Sequence, residues 1–341
     1  MTLDTEAIAK VHAALFPGFG PTPARLVPAL ADELGCAAVY VKDESSRYGL
    51  PAFKVLGASW AVCSVLGQRW GVDPWDIEVL RARVKEVPGL TAFAATDGNH
   101  GRAVAHTARL LGFAAHIFVP STVEQWSIDA IASEGCPVTP VDADYDGAVE
   151  AALQASRKLG KLGLFVQDTS FEGYTDIPLR IVHGYSTIAS ELSTQLPVPP
   201  SVVVVPVGVG SLAHAIVSYY GAGGAHPARV ISAEPDAAPC LHASLAAGNL
   251  TSTTEQRFTI MPGLNCPTVS ALGWDDLRAS IRPADAMVVT DAEAEAAMAR
   301  LSEVGCAVGP CGAATLAAAR KAQFEKDDVV VLICTEGLPQ K

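Results

Sequence analysis

Short β-branched apolar runs alternate with Ala-rich stretches of helical length along nearly the whole chain, and that alternation leaves few folds open. The runs at Ala38–Lys42, Thr91–Ala95, Ala115–Val119, Val138–Val141, Leu164–Val166, Val202–Pro206, Val230–Ala233 and Val329–Ile333 read as strands. The segments His100–Leu111, Val123–Ser133, Asp144–Leu159, Pro178–Leu192, Leu212–Tyr220, Asp291–Leu301 and Cys311–Gln323 read as helices between them. Alternation of this kind builds βαβ units, so the expected class is α/β with open, mostly parallel sheets covered by helices. Ligands in such folds bind beyond the carboxyl ends of strands, which directs attention to the turns that leave them.

The 341 residues are enough for two domains, and with 50% hydrophobic and 18% charged residues the chain can bury a large core. The net charge of −12 makes nucleic acid an unsuitable partner, because an acidic surface repels phosphate backbones. No apolar run reaches the length of a membrane span, so no membrane partner is expected. The opening MTLDTEAIAK lacks a basic region followed by an apolar run, so no secretory leader is expected. Eight cysteines include no CxxC pair and no Cys/His cluster of zinc-ligand spacing. They read as reduced core thiols in a cytoplasmic protein, and no metal site is expected.

Five turns carry candidate chemistry, and each also has a plain structural reading. In Lys42–Lys54, KDESSRYGLPAFK, a strand gives way to a polar loop and Lys54 opens a helix. A lysine so placed can form a Schiff base with an aldehyde, or simply snorkel at a helix start. TDGNHG at Thr96–Gly101 can offer backbone N–H groups to an anion, or be a helix cap made by Asp97 or Asn99. PVGVGSL at Pro206–Leu212 can cradle a phosphate on Gly208, Gly210 and Ser211, although it is not GxGxxG and lacks a P-loop lysine. In QDTSFEGYTDIP at Gln167–Pro178, Asp168 is a catalytic carboxylate or a loop cap. In ICTEG at Ile333–Gly337, Cys334 and Thr335 can meet a ring nitrogen, or be a core thiol and a strand-end hydroxyl. A nicotinamide site is excluded, because no GxGxxG opens a βαβ unit.

The order of these motifs resembles the fold-type II pyridoxal-phosphate (PLP) enzymes, the family of tryptophan synthase β-chain, threonine dehydratase and cysteine synthase. The resemblance runs over nearly the whole chain. It is most specific to diaminopropionate ammonia-lyases. These share KDES-S-R-x-G-L-x-A-F-K, ATDGNHGR (Ala95–Arg102), QDT-x-x-EGY-x-x-IP, EPD…C (Glu234–Cys240) and TIM-x-GL-x-C (Thr259–Cys266).

The resemblance implies two tryptophan-synthase-β-like α/β domains with PLP between them. Residues 1–54 and 167–341 would form the large cofactor-binding domain and 55–166 a small mobile one. It implies that Lys54 holds the cofactor covalently and moves the α-proton. Asn99 faces the cofactor ring, Gly208, Val209, Gly210 and Ser211 hold the phosphate, and Cys334 or Thr335 meets the pyridine nitrogen. Asp97 and Asp168 become acid/base groups, with Ser45, Thr96, Asp97, Gly98, His100 and Tyr174 at the substrate. A carboxylate opposite Lys54 would take the α-proton of a D-substrate. The implied activity is α,β-elimination of ammonia from 2,3-diaminopropionate or a related β-substituted alanine, by a homodimer acting on a small amino acid. PLP-dependent β-replacement, or a lyase with another leaving group, is the alternative. It is kept open by two departures from the family: PTVSALGW follows TIMPGLNC in place of GEPSP-like residues, and VGPCGAA near residue 310 puts Pro310–Cys311 where the family has a GESGA-like segment with its glutamate. Cys240 and Cys266 match a cysteine pair of the family, and a cytoplasmic setting favours two free thiols.

Overall fold

The computed structural model describes residues 3–224, 226–253 and 257–338. Its strands in chain order are β1 (Ala24–Leu26), β2 (Ala38–Asp43), β3 (Thr91–Ala95), β4 (Ala114–Pro120), β5 (Val138–Val141), β6 (Gly163–Phe165), β7 (Val202–Pro206), β8 (Arg229–Pro235), β9 (Ala286–Val289) and β10 (Val329–Cys334). They form two sheets. One has four strands in the order β5-β4-β3-β6, all parallel. The other has six in the order β1-β2-β10-β7-β8-β9, parallel except for the antiparallel edge strand β1.

The chain divides into two compact units. One comprises Lys54–Thr187 with the N-terminal stretch up to Gly20; the other comprises Pro21–Phe53 and the chain from Ile188 onward. The four-stranded sheet belongs to the first unit and the six-stranded sheet to the second.

Residue chemistry accounts for the arrangement of each unit. β7 is VVVVP with every residue buried, the run expected of a strand covered on both faces. Its neighbour β10, VVVLIC, is buried from Val330 onward. The core of this unit is built from those valines, from β2 and β8, and from the Ala-rich helix Pro310–Ala319. In the first unit Phe93, Phe118 and Phe165 on three neighbouring strands pack against the helix Tyr145–Lys158, which begins at an Asp144 side-chain cap.

All eight expected strands are present, with ends shifted by no more than two residues. β1 and β9 were not expected. β1 has three residues and lies at an edge, and β9 is only AMVV. Helices at Thr5–Leu15, Pro28–Leu34, Ile77–Lys85, Cys240–Ala247 and Trp274–Ser280 also go beyond the expectation.

Parallel pairing gives each sheet one carboxyl edge. The Thr96–Gly98 turn and the segment after β6 leave that edge of the four-stranded sheet. The loop after β2, the turn after β7 and the segment after β10 leave that edge of the six-stranded sheet.

Candidate active site

The loop that delivers Lys54 is anchored by buried charge. Lys42, Glu44 and Arg47 are all fully buried. Arg47 donates to both oxygens of Glu44 and both of Glu191, while Lys42 donates to Glu191 (2.6 Å), Gln195 and the Thr22 carbonyl. Two cations thus meet two carboxylates with their donors and acceptors used, the condition under which buried charge is tolerated. The loop is then sewn to the end of β10. Glu44 N–H donates to Cys334 O (2.8 Å), Phe53 N–H to Thr335 O (3.3 Å), and Gly337 N–H to Pro51 O (2.9 Å). Tyr48 takes a left-handed φ of 53° at the tip of the loop. Ser45, half-buried, has its N–H bound by Asp43 Oδ1 (3.1 Å).

Lys54 is the first residue of the helix Lys54–Trp70. Its amine donates to Asp168 Oδ2 at 2.7 Å and lies 5.9 Å from the centre of the Tyr185 ring. Tyr185 is fully buried and reaches this position because residue 57 is glycine. A Cβ there would come within 2.6 Å of Tyr185 Cε1 and 2.7 Å of Ile181 Cγ2.

Asp168 is buried, which by itself raises a carboxyl pKa; the Lys54 ammonium and then His100 outweigh burial and hold it well below the usual range. His100 lies 3.8 Å from Asp168 through Nδ1, and its Nε2 is hydrogen-bonded to Val166 O at 2.9 Å. Burial lowers its pKa from the ordinary imidazole value, with the Asp168 charge opposing. Tyr145 OH is 3.4 Å from the other Asp168 oxygen and accepts from Gln167 Nε2 (2.7 Å). Gln167 also exchanges hydrogen bonds with the backbone of Ala95, tying the segment after β6 to β3.

Asp97 differs from Asp168. Burial first, and then the charge of Asp168, push its carboxyl up to about 7, with Lys54 opposing. Two carboxyls beside one lysine are therefore driven apart, one permanently ionised and one titrating near neutrality. The turn around Asp97 is firmly built. Gly98 N–H donates to Thr96 Oγ1 (2.9 Å), and Ser127 Oγ donates to Asp97 O (3.2 Å). Asn99 opens the next helix, half-buried. Tyr174 has its hydroxyl committed to backbone, accepting from Gln167 N and donating to Phe165 O. It braces the segment that bears Asp168.

In the second unit the turn after β7 offers backbone rather than side chain. Gly210 has φ +87° and precedes the ten-residue helix Ser211–Tyr220, whose first N–H groups have no partner within the helix. A Cβ on Gly208 would meet Gly263 O at 2.7 Å and Cys266 Sγ at 3.2 Å. A glycine cradle opening a helix suits a phosphate. Val209 is buried and its carbonyl accepts from Ser270 N (2.8 Å).

Cys334 is fully buried, and burial pushes its thiol up to about 12, so it is uncharged. Thr335 follows it, also buried. Gly312 makes room for both, since a Cβ there would come within 3.0 Å of Thr335 N. Where the family resemblance leads to an acid, the helix Pro310–Ala319 of this chain opens with Pro310–Cys311. Here Glu336 Oε1 accepts the Cys311 N–H (3.2 Å) instead. None of the eight cysteines is joined in a disulfide, Cys240 and Cys266 included.

The structure thus brings Lys54, Asp168, Asp97 and His100 together in one unit, and gathers Gly208–Ser211 and Cys334–Thr335 on one sheet edge of the other. Tyr145, Tyr185 and Glu336 were not singled out from sequence. Tyr185 lies in the middle of a helix, and no local pattern distinguishes it from a core tyrosine. Among the described residues no group of three or more metal-ligating side chains occurs, and no helix is long and apolar enough to cross a membrane.

The donor set fits PLP: an accessible lysine amine, a glycine phosphate cradle and a neutral partner for a pyridine nitrogen. Comparison with known proteins agrees. Residues 15–336 match the family described as pyridoxal-phosphate dependent enzyme. Diaminopropionate ammonia-lyase of Escherichia coli strain K12 is 37% identical over 270 residues, covering 76% of this chain and 66% of that protein. The matched region thus spans slightly less than two thirds of that relative. The crystal structure of the E. coli enzyme in complex with D-serine matches with a TM-score of 0.86 at 32% identity, covering 98% of this chain and 89% of that one. Maize serine racemase, at 23% identity and a TM-score of 0.78, shares the fold. With the family match running through both sheets, the chain belongs to the fold-type II pyridoxal-phosphate-dependent enzymes, and its cofactor is pyridoxal 5'-phosphate.

Proposed function

We propose that the protein is an ammonia-lyase acting on 2,3-diaminopropionate or a closely related β-substituted alanine. With diaminopropionate the balance is one substrate and one water giving pyruvate and two ammonia. The observation that carries this reading is that the Lys54 amine donates to Asp168 Oδ2 at 2.7 Å, with His100 Nδ1 3.8 Å from the same oxygen. The identity to diaminopropionate ammonia-lyase and the D-serine complex of the E. coli enzyme support it.

In this reading Lys54 binds the cofactor aldehyde, Gly208–Ser211 bind its phosphate, Asn99 faces its ring, and Cys334 or Thr335 meets the pyridine nitrogen without charging it. Bound PLP supplies an electron sink for the substrate α-carbon. Lys54 Nζ takes the α-proton of an L-substrate. Asp97, ionised above about pH 7, takes that of a D-substrate. An amine leaves only as its conjugate acid, so a proton donor must stand near the β-carbon. Asp168 keeps the Lys54 ammonium in place for that transfer. Ser45, Thr96, Gly98 and His100 line the substrate, and Tyr174 acts by bracing the Asp168 segment.

Pro310–Cys311, standing where the family resemblance leads to an acid, favours a second reading in which the β-substituent is not an amine. We also propose a homodimer, and a reducing compartment such as the cytoplasm, which suits eight cysteines outside disulfides. The test is a panel of D- and L-β-substituted alanines assayed for 2-oxo acid and ammonia. Pyruvate with two equivalents of ammonia from diaminopropionate is expected. Pyruvate released only from substrates with other leaving groups, or a product requiring an added nucleophile, would overturn the ammonia-lyase reading.

A further inference from the structure

Glu234, the last residue but one of β8, has a fully buried side chain that the chemistry above does not use. Its two oxygens each accept one backbone N–H, from Leu241 at 2.6 Å and from His242 at 2.7 Å. Both amides belong to the first turn of the helix Cys240–Ala247. Burial pushes the Glu234 carboxyl up to about 7 while these two bonds pull it down, and in the ionised form each oxygen makes a charge-assisted bond. The first residue of that helix, Cys240, donates its thiol to the Gly208 carbonyl, 3.5 Å away. The acid holds the first turn of this helix, and the residue that opens that turn holds the Gly208 carbonyl of the glycine turn.

The direction of that last contact matters. Across a planar trans peptide the carbonyl and the following N–H point in opposite directions. Holding the Gly208 carbonyl toward Cys240 therefore turns the Val209 N–H the other way. The Val209 carbonyl, bound by Ser270 N–H, orients the Gly210 N–H by the same rule. Gly208 is confined on another side by Gly263 O and Cys266 Sγ.

We propose that Glu234 is a positioning residue for phosphate binding, acting through the first turn of the helix Cys240–Ala247 and the Cys240 thiol to aim the N–H groups of the Gly208–Ser211 turn. This rests on the reading that the turn binds the cofactor phosphate.

The experiment compares two ligands on the apoenzyme: PLP, and pyridoxal, which has the same aldehyde and no phosphate. Dissociation constants of both are measured by absorbance titration for wild type, Glu234→Gln, Cys240→Ala, Cys240→Ser and Ser211→Ala. Glu234→Gln is expected to weaken PLP about tenfold, the scale of a lost charge-assisted hydrogen bond, and to leave pyridoxal within about twofold. Cys240→Ala shows the same selectivity, and Cys240→Ser, which keeps a donor, recovers most of the loss. Equal weakening of both ligands, or no weakening of PLP, overturns the role of Glu234. If Glu234→Gln does not fold, the Cys240 pair decides, and identical behaviour of Ala and Ser overturns the proposal. Ser211→Ala separates the two levels. If it too fails to discriminate PLP from pyridoxal, the phosphate reading of the turn falls; if it discriminates and the others do not, only the inference falls.

Discussion

Lys54 Nζ and Asp168 Oδ2 are joined by a 2.7 Å charged hydrogen bond, with the lysine side chain 19% exposed and the aspartate 4%. The pair is sheltered enough to keep its charges in contact and open enough for the amine to be reached. Burial first, and then the negative charge of Asp168, push the Asp97 carboxyl up, with Lys54 opposing.

Asp97→Asn separates the enantiomers. With the carboxylate gone, turnover of D-substrates falls about 100-fold or more in kcat/KM, the usual scale for a lost general base, while L-substrates change far less. In the unsubstituted enzyme, D-substrate kcat/KM rises with pH through about 7, because Asp97 must be ionised to accept a proton. Pre-steady-state and steady-state rates on both enantiomers check this. Loss confined to L-substrates would contradict it.

The same aspartate makes a prediction about stability. Its carboxyl ordinarily titrates at 3.8 and in the folded chain at about 7. Between those values the folded chain holds a proton that the unfolded chain has lost, so stability declines as pH rises through the window. Asparagine stays neutral throughout. Asp97→Asn should therefore gain on the order of 1–2 kcal/mol over wild type at pH 8 and progressively less toward pH 5. Asp168 behaves oppositely: its depressed pKa contributes stability at neutral pH that is lost only as pH falls through the folded value. Melting curves across pH 5–8 decide the point, and a gain that shrinks with rising pH would refute it.

Arg47 is the keystone of the charge cluster under the Lys54 loop. Replacing it with Met leaves Glu44 and Glu191 buried with only Lys42 to oppose them, so a cost of about 3–5 kcal/mol is expected. Urea unfolding should show a lower midpoint with an unchanged slope. A cost below about 1 kcal/mol, the range of a surface pair, would mean that the cluster is solvated.

Gly57→Ala tests the approach of Tyr185 to the lysine helix. The added carbon would overlap Tyr185 and Ile181, at a cost of about 1–3 kcal/mol for overpacking. Tyr185→Leu in the same chain should relieve part of the cost, so the two substitutions will be less than additive. Strict additivity in thermal melts would argue against the contact.

Much of this was legible in the residues. The strands of both sheets announced themselves because parallel strands buried on two faces must be unbroken apolar runs, as in Val202–Val205. Lys54, Asp97 and Asp168 could be named because their motifs, in that order along the chain, resemble those of the fold-type II family, and each lies in a segment that follows a strand. What the sequence concealed depends on distant partners. Glu191 meets Arg47 across 144 positions, and Glu336 reaches the amide of Cys311, contacts that no local spacing encodes. Tyr174 shows the reverse case. Its motif suggested a substrate contact, but its hydroxyl is taken up by two backbone groups. β1 and β9 were missed because three or four residues at or near a sheet edge carry too little periodicity to stand out.

The most direct measurement is borohydride reduction of the PLP-loaded protein followed by mass mapping of its peptides. The account predicts a pyridoxyl group on Lys54 alone, with Lys54→Ala protein unlabelled. A label on another lysine, or none on protein shown to be folded, would contradict it.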